Sequence, residues 1–105
     1  MRARVLLAGS EAPGPWETYR AHRLLARVAP AVHLPRLALA AVEMTVHPPV
    51  APHRDLQLGL MAEALAAFAA IDPADPFRPR ALAVFREKYR ERAELLGIDP
   101  EVPFP

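Results

Sequence analysis

The sequence predicts an α+β domain with three main helices and a small sheet of about two strands per chain. Three segments of the 105-residue chain place apolar side chains at helical spacing, and prolines separate these segments. The apolar run Val5–Leu7 and the alternation of Val42, Met44 and Val46 are typical of strands instead. The alternative is an all-α four-helix bundle, which applies if the segment around Val42 is helical.

The first predicted element is a strand over Arg2–Ala8, because the apolar run is short and a Gly-Ser turn follows it. This run is shorter than the apolar region of a secretory signal peptide, and no uncharged apolar stretch approaches the ~20 residues that cross a bilayer. The chain also contains no cysteine, which is typical of reducing compartments. We therefore expect a cytoplasmic protein without a membrane partner.

A helix is predicted over Pro15–Ala29. Proline is favoured in the first turn of a helix, and Glu17 lies near the positive end of the helix dipole. Leucines and alanines recur at helical spacing until Pro30, which we expect to end the helix.

The segment Pro35–His47 determines the fold class. Its alanines favour a helix, whereas Val42, Met44 and Val46 alternate with polar residues as in a half-buried strand. We predict a strand over Leu37–His47, because the alternation runs directly into two prolines and no neighbouring residue acts as a C-cap.

Two further helices are predicted, over Arg54–Ile71 and Pro79–Leu96. The first has an apolar surface wider than a single stripe, and the second has one apolar face with charges elsewhere. Gly97 is suited to end the last helix, because glycine readily adopts the left-handed conformation. Residues 1–98 are predicted to form one compact domain, and residues 99–105 an extended C-terminal tail.

The composition leaves little material for catalysis. Ser10 is the sole serine, cysteine is missing, and twelve of the thirteen basic residues are arginine, as in thermophile-like compositions. We therefore predict a non-enzymatic protein that acts through protein contacts and uses no cofactor, although the sequence leaves the question of catalysis open. The net charge of +1 gives the chain no overall attraction to nucleic acid.

A homodimer is the predicted assembly. A strand near the middle of the chain would present an unpaired edge, and aromatic residues occur at the periphery of the predicted domain. The predicted interface residues are Trp16, Val42, Met44, Val46 and Phe104.

Two alternative functions remain. Arg20, Arg23 and Arg27 form a stripe on the first helix that would bind an anion or nucleic acid. Histidines around the central segment would serve a metal-dependent protein, although their convergence is not specified by any motif. The four histidines that could supply ligands are His22, His33, His47 and His53, and the metal-site candidates are His33, Glu43, His47 and His53.

Overall fold

The computed structural model describes residues 14–104, and in this range it contains four helices and no strand. The helices are α1 (Pro15–Leu25), α2 (Pro30–Met44), α3 (Arg54–Ala69) and α4 (Arg78–Leu96). The prediction of an α+β domain is therefore wrong, and the all-α alternative describes this part of the chain. The strand predicted over Arg2–Ala8 lies outside the described residues.

The strand predicted over Leu37–His47 is instead the second half of α2 and the turn that follows it. Pro30 does not end the first helix as predicted, because α1 already ends at Leu25. Pro30 is instead the first residue of α2, where the missing N–H has no partner to lose. Val42 and Met44 are both buried, as the alternation of apolar and polar residues predicted. The reason is that α2 packs against more than one helix, and not that the segment is a strand with one buried face.

The C-terminal end of α2 is capped by a side chain from α4. Arg92 Nη1 donates to the carbonyl oxygen of Val42 at 2.7 Å and to Thr45 Oγ1 at 2.5 Å. Thr45 Oγ1 in turn donates to the Val42 carbonyl at 2.6 Å. A guanidinium here also lies at the negative end of the helix dipole. The cap comes from far along the chain, so the residues next to α2 do not reveal it.

α2 is the central helix, and α1, α3 and α4 all pack against it. Alanines with no exposed surface allow close helix contact, and the rings of Phe68 on α3 and Phe85 on α4 stack at 4.9 Å. The other three predicted helices are confirmed to within a few residues. Pro79 is the second residue of α4 rather than the first, and Gly97 ends that helix at φ 72°.

The tail beyond α4 folds back over the core. The ring of Phe104 stacks on Phe68 at 5.5 Å and on Phe85 at 6.5 Å, and Arg86 Nη2 donates to the Phe104 carbonyl at 3.0 Å. The division at residue 98 into a domain and a tail stays a prediction. The structure measures 50 × 34 × 19 Å along its principal axes, so it is flat.

Candidate functional site

A cavity of about 500 Å³ opens between α1, the C-terminal end of α2, the α2–α3 connection and the first half of α3. Ligand pockets in proteins usually have volumes of ~300–1,000 Å³, so the cavity has room for a small organic molecule. Its lining residues are Trp16, Tyr19, Arg23, Met44, His47, Pro49, Val50, Leu56 and Leu60.

Helical spacing brings the walls of the cavity together. Trp16, Tyr19 and Arg23 lie on one face of α1, because residues three and four apart are neighbours on a helix surface. Leu56 and Leu60 form the opposite wall on α3 for the same reason. The proline-rich connection between α2 and α3 closes one side.

The rim of the cavity is organised by Glu63 of α3. One carboxylate oxygen accepts a hydrogen bond from the Tyr19 hydroxyl, and the other lies 3.6 Å from Arg23 Nε. The Arg23 guanidinium also lies over the Tyr19 ring, 5.9 Å from its centroid. Burial raises the pKa of Tyr19 to about 12, and the hydrogen bond to Glu63 acts in the same direction, so Tyr19 stays a neutral phenol at neutral pH.

No family model, curated protein or solved structure matches the chain. The function must therefore be argued from the geometry of the site itself. In residues 14–104, no helix is long and apolar enough to span a membrane.

The three arginines of the predicted stripe lie in different surroundings. Arg23 lines the cavity, whereas the Arg20 guanidinium lies over the Trp16 ring at 5.6 Å from its centroid. Arg27 is exposed in the turn that follows α1 and lies away from the cavity. Of the three, Arg23 is the one that lines this cavity.

The four histidines do not converge. In the part of the chain that the structure describes, no three His, Cys, Asp or Glu side chains form a group suited to a metal ion. His47 lines the cavity, His53 is exposed at the start of α3, and Glu43 is exposed on α2. His33 instead faces His22, with their Nδ1 atoms 3.0 Å apart.

The predicted interface residues fall into different environments. Val42 and Met44 are buried inside the single chain, and Phe104 is half-buried in the aromatic stack. Trp16 and Val46 keep about half of their surface exposed, and Trp16 lies at the cavity. The homodimer was predicted from an exposed strand edge, but this segment is helical and has no such edge.

Sequence reasoning identified Trp16 and Arg23 but assigned them to separate surfaces. The signal that joins them was present, since Trp16, Tyr19 and Arg23 have the i, i+3, i+7 spacing of one helix face. Leu60 and Glu63 could not be assigned to the same site from the sequence, because they belong to α3. This helix comes close to α1 because both helices pack on α2.

Proposed function

We propose that this protein binds an apolar organic anion, such as a fatty carboxylate, in the cavity between α1 and α3. The observation that carries the proposal is the character of the lining. Aliphatic and aromatic side chains form most of the wall, and Arg23 is the single arginine, lysine or carboxylate residue among the described lining residues. Such a site favours a ligand with an apolar body and one anionic group.

The contacts of Arg23 suit it to this role. A guanidinium carries five N–H donors, and Glu63 Oε2 comes within 3.6 Å of Arg23 at Nε. The Tyr19 ring beneath the guanidinium and the carboxylate beside it restrain the side chain before a ligand arrives. Restraint of this kind lowers the entropic cost of binding.

The apolar body of the ligand would lie between the two walls of the cavity. Trp16 and Tyr19, whose rings stack at 5.9 Å, form one wall, and Leu56 and Leu60 form the other. His47 also lines the cavity and offers an imidazole ring for a further hydrogen bond. The lining residues supply no carboxylate and no thiol, so we propose binding rather than turnover.

Trp16 is the sole tryptophan of the chain and lines the cavity, so its fluorescence reports binding directly. We expect decanoate to change Trp16 emission with saturation, and decanol, which has the same chain without the charge, to bind at least about tenfold more weakly. In the Arg23→Ala variant, decanoate should lose about tenfold in affinity while decanol binds unchanged.

Arg27→Ala is the matched control, because it removes an arginine close in sequence that does not line the cavity. This variant should bind decanoate like the unaltered protein. Equal losses in the two variants would mean that general surface charge attracts the anion, and the proposal would then be wrong. A Trp16 signal that responds to neither ligand would also contradict it.

A further inference from the structure

A second concave surface lies on another part of the molecule, between the first halves of α2 and α4. Three large apolar side chains are exposed there: Val32 keeps 51% of its surface exposed, Phe77 72% and Val84 47%. Two adjacent hollows, of about 480 and about 430 Å³, share Val32 and Phe77 at their boundary. We call this surface the Phe77 groove.

The two ends of the Phe77 groove carry opposite charges. Asp72 and Asp75 line the hollow on one side of Phe77, and Arg36 and Arg80 line the hollow on the other. Within residues 14–104, neither arginine pairs with a carboxylate at salt-bridge distance. One oxygen of each aspartate accepts a backbone N–H in the turn before α4, which holds the carboxylates in place.

We infer that a second copy of this chain covers the Phe77 groove, related to the first by a two-fold axis beside Val32 and Phe77. Rotation about this axis places the acidic end of one copy against the basic end of the other, on both sides at once. A surface with this arrangement is complementary to itself, which is what an isologous dimer requires. The charges therefore select a second copy over a partner of uniform charge.

The apolar centre supplies the attraction and the charged ends set the orientation. Phe77 of each copy enters the apolar part of the partner's groove near Val84, and exposed aromatic side chains of this kind commonly dominate interface energies. Charges around an apolar centre mainly fix the register of association. The groove shares no lining residue with the cavity at Arg23, so this inference is independent of the proposed function.

The first test is the mass of the full chain by sedimentation equilibrium, from about 1 to about 500 µM. We expect a reversible monomer–dimer equilibrium whose dissociation constant rises at least about tenfold in Phe77→Ala. Leu95→Ala is the control, because Leu95 is 75% exposed on α4 outside the groove. It should leave the equilibrium unchanged, and Phe77→Ala should still bind decanoate as the unaltered chain does.

A charge exchange tests the two-fold arrangement itself. One variant carries Arg36→Glu and Arg80→Glu, so that both ends of its groove are acidic, and a second carries Asp72→Arg and Asp75→Arg, so that both ends are basic. Each alone should be monomeric, and their mixture should form a heterodimer. Circular dichroism checks the second variant, since its aspartates accept hydrogen bonds in the turn.

Three results would overturn the inference. The first is a monomer at every concentration, which would point to another protein as the occupant. The second is a dimer that Phe77→Ala does not weaken. The third is a dimer that persists in the variant with Arg36→Glu and Arg80→Glu, whose altered side chains are exposed and whose helices should remain intact.

Discussion

His22 on α1 and His33 on α2 face each other with their Nδ1 atoms 3.0 Å apart. At this distance one nitrogen must carry a proton and donate it to the other, because two lone pairs would repel. Burial lowers the pKa of His22, and His33 and Arg36 act in the same direction. Protonation of His22 would place a positive ring beside His33 and near the guanidinium of Arg36.

This geometry predicts a pH-dependent stability. Since the folded chain holds a proton on His22 less tightly than the unfolded chain does, the free energy of unfolding is highest above pH ~6.5 and falls as the pH drops below it. Denaturant unfolding of the unaltered protein at about pH 8 and about pH 5 measures the difference. His22→Gln should reduce it.

His53→Gln is the control for this prediction, because His53 is exposed at the start of α3. It should retain the pH dependence of the unaltered protein. If His22→Gln and His53→Gln respond to pH alike, the dependence arises elsewhere in the chain.

At the scale of single elements, the sequence predicted α1, α3 and α4 and missed α2. The three predicted helices show their periodicity and their boundaries locally, through prolines and Gly97. α2 contains Pro35 in its interior and is capped by Arg92 from α4, so its local sequence opposes a helix that tertiary contacts stabilise. Interactions of this kind are invisible to reasoning that considers one segment at a time.

Pro35 lies in the interior of α2 and destabilises this helix. A proline in a helix interior removes one backbone hydrogen bond and crowds the preceding turn. We expect Pro35→Ala to raise the free energy of unfolding by about 1–2 kcal/mol, because the regained helix energy exceeds the entropy that the unfolded chain gains. Denaturant titration monitored by circular dichroism measures this change.

Pro30→Ala is the matched control in the same helix. Pro30 is the first residue of α2, where an N–H has no intrahelical partner, so this substitution should not stabilise the protein. A loss of stability in Pro35→Ala would show that the ring of Pro35 contributes more through packing than it costs the helix.

For the whole molecule, α2 connects the two candidate surfaces. Its C-terminal end contributes Met44 to the cavity, and its first half contributes Val32 and Arg36 to the Phe77 groove. Neither surface could be predicted from the sequence, because each combines side chains from elements that meet only after α2 is placed. The sequence did indicate some of the residues involved, since its apolar side chains and Arg23 of the arginine stripe contribute to these surfaces.

The C-terminal segment completes the core at the face formed by α3 and α4. The ring of Phe104 lies on Phe68 and Phe85, and the Arg78 guanidinium lies over the Phe68 and Phe104 rings at 5.6 and 5.8 Å. We expect Phe104→Ala to lower the free energy of unfolding by about 1–3 kcal/mol, less than a fully buried phenylalanine because the ring is half-buried.

Pro103→Ala is the control for the tail, because Pro103 is exposed and adjacent. Its effect on thermal or denaturant unfolding should stay within about 0.5 kcal/mol. Equal and negligible effects of Phe104→Ala and Pro103→Ala would mean that the tail does not contribute to stability in solution.

The thinness of the molecule affects how it moves through water. Its shortest dimension, 19 Å, is about two helix diameters, and its radius of gyration of 15.0 Å exceeds the ~13 Å of a compact domain of about 100 residues. A plate experiences more friction than a sphere of equal mass. One copy therefore elutes early from a sizing column and resembles a heavier species, whereas light scattering and sedimentation equilibrium, which depend on mass rather than friction, distinguish one copy from two.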